Sequence, residues 1–220
     1  MSTEQQVADE ELLKAWRGGD QRAGSALFAR HHPSVARFFA SKLGYEESDD
    51  LVQETFLGLR EGLARFRGEA SVRTLLFAIA RNQLNYYFRK LTRDRKRFDY
   101  DPTQTSIAAI ATTPTQRMAG GEQNLLLLRA LRELPIDTQV MIELHYWEQL
   151  PVREIAEVME VPVNTVKTRM FRGRKQLEAL MEKLAASPEQ LEATHDEFSA
   201  WAARLRDELG ADSPSDSAVE

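Results

Sequence analysis

Basic side chains gather in two places in this chain, and in both their spacing suits nucleic acid rather than covalent catalysis. In VREIAEVMEVPVNTVKTRMFRGRKQL, from Val152 to Leu177, the cations Lys167, Arg169, Arg172, Arg174 and Lys175 follow one another with no acid between Val163 and Leu177. A helix with one cationic face is what a DNA major groove admits. In VRTLLFAIARNQLNYYFRKLTRDRKRF, Arg73, Arg81, Arg89 and Lys90 alternate with Asn82, Asn85 and Tyr86. Cations hold phosphate, rings stack on bases and amides read base edges, so this mixture suits a strand whose bases have been unstacked. A third patch has the opposite sign: Asp49, Asp50, Gln53 and Glu54 in SDDLVQETFLGLREGLARF. It reads as a docking face for a basic partner surface, the plainer alternative being helix capping and solvation.

The net charge of −5 at pH 7 does not oppose DNA binding. Phosphate affinity comes from local basic surface and the counterions it displaces, and the acids of this chain are concentrated elsewhere. There is no cysteine, which excludes disulfides, thiolate metal sites and cysteine nucleophiles. A reducing cytoplasmic setting fits that composition. His31 and His32 beside Pro33 have no partner at metal-ligand spacing and read as helix surface. With no catalytic constellation and no phosphate-cradling glycine loop, neither an enzyme nor a bound metal or cofactor is expected. The amino terminus lacks the pattern of an export signal, and no apolar run is long enough for a membrane span.

The elements that must carry these patches are helices throughout. Ile155, Ala156 and Met159 recur at helical spacing, Pro162 breaks the run, and Val166, Met170 and Leu177 continue it on a second helix, giving a helix-turn-helix. Asp137 is expected to cap the helix before it, with Val140, Met141, Leu144 and Trp147 buried. Earlier, a helix from Asp9 to Trp16 should end at Gly18-Gly19. Asp20 should cap a longer helix running toward Leu43, kinked or split at Pro33. Ser48 is expected to cap the acidic helix, whose buried stripe is Leu51, Val52, Phe56, Leu59 and Leu63. Ser71 should cap the basic-aromatic helix, with Val72, Leu75, Leu76, Ile79 and Leu84 inward.

Between Phe98 and Asn124 periodicity disappears in a threonine-rich stretch punctuated by Pro and Gly, which reads as a linker. The chain therefore divides into a first domain over 1–97, a linker over 98–124, a second domain over 125–184, and an extension over 185–220. In the extension Pro188 opens an amphipathic helix that precedes an acidic, disordered end. The fold class is all-α: two small helical domains on a flexible linker, plus a carboxy-terminal amphipathic helix.

With these residues in place, the chain resembles bacterial RNA polymerase sigma factors of the extracytoplasmic-function group of the sigma-70 family. DDLVQETFL and FRGEASVRTLLFAIARNQLNYY are similar to the family's region two, and LRELP with REIAEVMEVPVNTVKTRMFRGRKQL to its region four. The resemblance covers about Asp20 to Leu184. It implies a promoter-specificity subunit that directs promoter recognition, DNA melting and transcription initiation. The face of Asp49, Asp50, Gln53 and Glu54 would grip the clamp helices of the largest polymerase subunit, and the flap would be a further contact. Arg67, Ser71, Arg73, Arg81, Asn82, Asn85, Tyr86, Arg89 and Lys90 would hold the melted minus-ten strand. Thr165, Lys167, Thr168, Arg169, Phe171, Arg172 and Lys175 would read the minus-thirty-five duplex. The implied partners are core polymerase and promoter DNA, with an anti-sigma factor as a further candidate, all in the cytoplasm. Three departures stand out: Leu75 replaces a frequent tryptophan, Glu160 a frequent glycine at the turn, and Pro151 a frequent serine or threonine cap. The alternative reading is a dimeric helix-turn-helix regulator that acts without polymerase.

Overall fold

In the computed structural model, which describes residues 3–63, 68, 70–94, 99–110 and 122–191, the first helix, α1 (Thr3–Arg17), ends at the glycine pair. Gly19 there has φ +102°, a conformation that favours glycine. The Asp20 carboxylate then accepts hydrogen bonds from the backbone N–H groups of Arg22 and Ala23 (2.9 and 3.4 Å), capping α2 (Gln21–Ala40) as expected. Pro33 neither splits that helix nor ends it. Leu27 on one side and Val35, Phe38 and Phe39 on the other are all buried, so packing on both flanks outweighs the one backbone hydrogen bond proline forfeits.

The helix α3 (Tyr45–Gly62) begins one turn earlier than expected. Its cap position is Gly44, and Ser48 is a buried residue inside the helix whose hydroxyl donates to the Gly44 carbonyl at 2.6 Å. The acids in the first turn are therefore Glu46 and Glu47, leaving Asp49 and Asp50 further along. The expected stripe of Leu51, Val52, Phe56, Leu59 and Leu63 is buried. In α4 (Val72–Asp94) the Ser71 hydroxyl accepts from the Thr74 N–H at 3.1 Å, as a cap should. Val72, Leu76, Phe77, Ala80, Leu84 and Phe88 form its buried stripe, and Leu75 and Ile79 are only partly covered. Helices α1 to α4 pack on one another around this core.

The described part of the stretch after α4 is held against the rest of the chain. Asp101 accepts from the N–H and hydroxyl of Thr103 (2.9 and 2.7 Å), and a single turn, α5 (Ile107–Ile110), buries Ile107 and Ile110. The Ile136 and Asp137 N–H groups donate to the carbonyls of Thr105 and Pro102 at 2.9 and 3.0 Å. Two isoleucines three residues apart are too short a run to announce a helix, and here tertiary burial supplies the order.

The second half comprises α6 (Glu122–Glu133), α7 (Ile136–Tyr146), α8 (Val152–Met159) and α9 (Val163–Leu184). Pro135 holds the cap position of α7, so Asp137 does not cap it; that carboxylate lies buried in the first turn. Between α8 and α9, Glu160 adopts the left-handed conformation (φ 55°, ψ 41°) that the sequence asks of a non-glycine residue there. Beyond Ser187 the described chain is helical again at 188–191, consistent with a first turn at Pro188. The remainder of the proposed amphipathic helix lies outside the described residues. Apart from an isolated Ser106–Pro135 bridge, the described residues form helices and loops, the all-α class expected.

Close packing of α9 on α7 depends on Gly173. A Cβ there would overlap Thr138 Cγ2 and press on Ile142 Cδ1 at 3.2 Å. Gly173→Ala should therefore lower stability by about 1–3 kcal/mol despite the better helix propensity of alanine. Adding Thr138→Ser, which removes the obstructing methyl, should recover most of the loss. Thermal melts of both variants test this, and an undiminished Gly173→Ala melt would refute it.

Candidate nucleic-acid and polymerase interfaces

The helix-turn-helix is positioned by a mostly apolar seam. Ile155, Ala156, Val158 and Met159 of α8 and Val166, Met170, Gly173, Leu177 and Met181 of α9 are buried. What the seam leaves outward on α9 is Lys167, Thr168, Phe171, Arg172 and Lys175, all exposed. Phe171 is 61% exposed, so no core claims it, and the Lys175 ammonium lies 4.7 Å from its ring centre. The Thr168 hydroxyl is turned back onto the Asn164 carbonyl at 2.9 Å. Thr165 is half-buried. So is Arg169, whose Nη1 stands 3.7 Å from Asp137 Oδ2.

On α4 the proposed strand-binding residues divide between two faces. Asn82, Tyr86, Arg89 and Lys90 recur at helical spacing and are exposed, Tyr86 at 63%. The other described ones turn toward the stretch after α4 or the second half of the chain. Arg73 Nη2 donates to Glu148 Oε2 at 2.7 Å, Arg81 Nη2 is 3.5 Å from Asp137 Oδ1, and Asn85 Oδ1 accepts from the Tyr100 hydroxyl at 2.7 Å. Ser71 is buried, and its hydroxyl bonds Thr74 and Glu154. Arg67 lies outside the described residues.

Several residues of this contact between halves carry no signal in local periodicity. Glu148 accepts from Arg37 Nε and Nη2 (3.0 and 2.8 Å) through Oε1 while Arg73 takes Oε2. Lys42 is fully buried, its ammonium donating to Glu143, to the Phe38 carbonyl at 2.6 Å and to the Ser41 hydroxyl at 3.0 Å. Arg132 Nη1 reaches the Lys42 carbonyl at 3.1 Å. A signal does exist in IDTQVMIELHYWE, where Asp137, Gln139, Glu143 and Glu148 are interspersed with apolar residues on every side. A helix buried all round must find partners for its polar groups inside the protein.

Burial has electrical consequences at this contact. It pushes the Asp137 carboxyl above the ordinary carboxylate range, opposed by Arg81 and Arg169. It pushes the Lys42 ammonium below the ordinary lysine value, opposed by Glu143. Burial, followed by the Asp137 charge, also raises the Tyr100 hydroxyl. Arg81 Nε and Asp137 Oδ1 have no hydrogen-bond partner, so their ion pair is loosely made.

The acidic patch is open. Asp49, Asp50, Gln53 and Glu54 are all exposed on α3, with the Gln53 amide donating to Asp49 at 3.3 Å. Beside them lies a shallow apolar groove lined by Trp16, Phe28, Phe56 and Leu57. Among the described residues no group of His, Asp and Glu is placed to hold a metal, and no helix is long and apolar enough to cross a membrane.

Two family models match these two halves. Sigma-70 region 2 matches residues 27–94, spanning α3 and α4, and sigma-70 region 4 matches residues 124–177, spanning the helix-turn-helix. Together the matched segments take in more than half of the chain. The extracytoplasmic-function RNA polymerase sigma-E factor of Haemophilus influenzae is 28% identical over 190 residues, covering 82% of this chain and 98% of that protein. The sigma-E factor of Escherichia coli K12 is 29% identical over 186 residues, covering 82% and 97%. The solved structure of CnrH in complex with the cytosolic domain of CnrY superposes with a TM-score of 0.61 at 27% identity, covering 81% of this chain and 99% of that one. The sigma factor RpoE, solved with the anti-sigma factor NepR from Bartonella quintana, shares the fold, with a TM-score of 0.57 at 22% identity over 72% and 96% of the two chains. A stand-alone dimeric regulator would leave the region 2 half without a task. With regions 2 and 4 in this order, on helices whose outer faces carry the expected charges, the chain belongs to the extracytoplasmic-function group of the sigma-70 family of RNA polymerase sigma factors.

Proposed function

We infer that this sigma factor divides promoter-directed initiation among three faces. The acidic face of α3, with Asp49, Asp50, Gln53 and Glu54, docks on the clamp helices of the largest polymerase subunit. The outer face of α9, with Lys167, Thr168, Phe171, Arg172 and Lys175 flanked by Thr165 and Arg169, enters the major groove of the minus-thirty-five element. The face of α4 holding Asn82, Tyr86, Arg89 and Lys90, joined by Arg67, Ser71, Arg73, Arg81 and Asn85, captures the unstacked minus-ten strand. Phosphate contacts set the register, and the amides and the tyrosine ring supply base contacts. Opening the duplex costs stacking energy, and the strand-holding face offsets part of it.

The observation that carries this reading is the coexistence, in one chain, of an exposed acid face in the region 2 segment and an exposed cation face in the region 4 segment. Residues 1–97 and 125–184 are the two working domains, 98–124 links them, and 185–220 is an extension to the second. Bond making belongs to the polymerase, and no residue of this chain is assigned covalent chemistry. Its place of action is the cytoplasm, where polymerase and chromosome are found. A protein that covers the α3 and α9 faces together would restrain it, as an anti-sigma factor does.

Mixing the chain with purified core polymerase tests the reading. Co-elution on size exclusion and new run-off products from genomic fragments are expected. A chain that elutes apart from core and adds no promoter-specific product would overturn it.

A further inference from the structure

Two arginines of the first half converge on one carboxylate of the second. Arg37 reaches Glu148 from α2 and Arg73 reaches it from α4, and between them they occupy both carboxylate oxygens. The Glu148 side chain is only 4% exposed, so water contributes little to satisfying its charge. Each arginine is also steadied by its own half. Arg37 Nη2 donates to Ser34 Oγ at 3.3 Å, and the Arg73 guanidinium lies 5.8 Å from the Phe77 ring centre. Each arginine would keep that contact if the halves moved apart. Two guanidinium forks meeting at one anion form a geometry that serves carboxylate and phosphate alike.

Arg73 begins the helix whose outer face is assigned to the minus-ten strand, whereas no DNA contact has been assigned to Arg37. We propose that Arg37 and Arg73 form a single phosphate-binding site for the backbone of unstacked single-stranded DNA, and that Glu148 fills it as a stand-in while the halves are together. A second carboxylate of that half, Asp137, faces Arg81 of α4 in a looser ion pair and also Arg169 of its own half. In this closed arrangement Arg37, Arg73 and Arg81 are occupied by carboxylates of the second half, while Arg89 and Lys90 on α4 and Lys167, Arg172 and Lys175 on α9 remain exposed. When the halves part, both members of each ion pair regain water, which offsets the attraction they give up, so a partner that binds one half can draw them apart. Release from Glu148 is then what arms α4. The site presupposes the strand-holding role of α4 described above.

A fluorescein-labelled dT12 oligonucleotide is a suitable probe, because a phosphate site needs no particular base. With the full chain free of polymerase, Glu148→Gln should tighten dT12 binding about tenfold, the range of one charge-assisted contact. Adding Arg37→Gln to Glu148→Gln should return the affinity close to the starting value and reduce the dependence of log K on log salt by about 0.7. Arg37→Gln alone discriminates further: in holoenzyme it should weaken open-complex formation several-fold, whereas a residue that merely latches the halves would leave holoenzyme unaffected. Unchanged dT12 affinity in Glu148→Gln would overturn the proposal. So would a double variant that binds as tightly as Glu148→Gln, since Arg37 would then be a latch and no phosphate ligand. Run-off transcription by the unmodified chain is read alongside. If it fails, the promoter reading itself falls; if it succeeds while the dT12 results go against expectation, only the two-arginine site is lost.

Discussion

Reversing Asp49, Asp50 and Glu54 to lysine together is expected to detach the chain from core polymerase, abolishing co-elution and reducing run-off product at least a hundredfold. All three side chains are exposed and none contributes to the core, so the fold has little reason to respond. An interface carboxylate facing a cation contributes about 2–5 kcal/mol when its partner would otherwise be left unpaired. Three reversals add repulsion to that loss. The start of α3 one turn before Ser48 makes the experiment cleaner: the acids complementing the helix dipole are Glu46 and Glu47, which the substitutions leave in place. The thermal melt should therefore stay close to that of the parent. A triple variant that still co-elutes with core and still yields run-off product would remove the polymerase-docking role from this face.

The second large effect concerns stability. Glu143→Leu should strand the Lys42 ammonium in a fully buried position and cost about 3–5 kcal/mol. The Phe38 carbonyl and Ser41 hydroxyl remain, but neither carries the compensating charge. Lys42→Met combined with Glu143→Leu removes both charges and should melt close to the parent or above it, because two desolvation penalties disappear with the pair. Equal melts for Glu143→Leu and the double variant would show that the pair is not coupled. A pH series adds a sign. Burial holds the Lys42 ammonium below its ordinary value of 10.5, so the unfolded chain binds the proton more tightly than the folded one. Stability from this group therefore rises with pH between the folded value and 10.5. Without Glu143 the window widens downward, and the deficit of Glu143→Leu should shrink as pH climbs through it.

These two experiments address different levels of organisation. The α3 face acts through surface charge that any extended helix would display, so its composition was readable in the chain. The Lys42–Glu143 pair joins residues 101 positions apart. No local pattern connects a lysine after α2 with a glutamate inside α7, and only the meeting of the two halves gives either a partner.

Sequence alone determined the longer helices and the faces of α3 and α9 that carry charge. Asp20 capped its helix, the stripe from Leu51 to Leu63 went inside, and Phe171, Arg172 and Lys175 stayed outside, because capping and the 3.6-residue period act over a few neighbours. Glu160 took the left-handed turn asked of it for the same reason. Tertiary structure decided the rest. Pro33 stayed inside a continuous helix because both flanks are packed, and Ile107 and Ile110 became ordered because they are buried together. Asp137 left the capping position for the contact between the halves. Arg73 and Arg81, read from the chain as cations for an unstacked strand, were turned onto carboxylates of the second half. A helix face can be assigned from spacing, but what faces it is set by pairing across more than fifty residues, where charges removed from water must find one another.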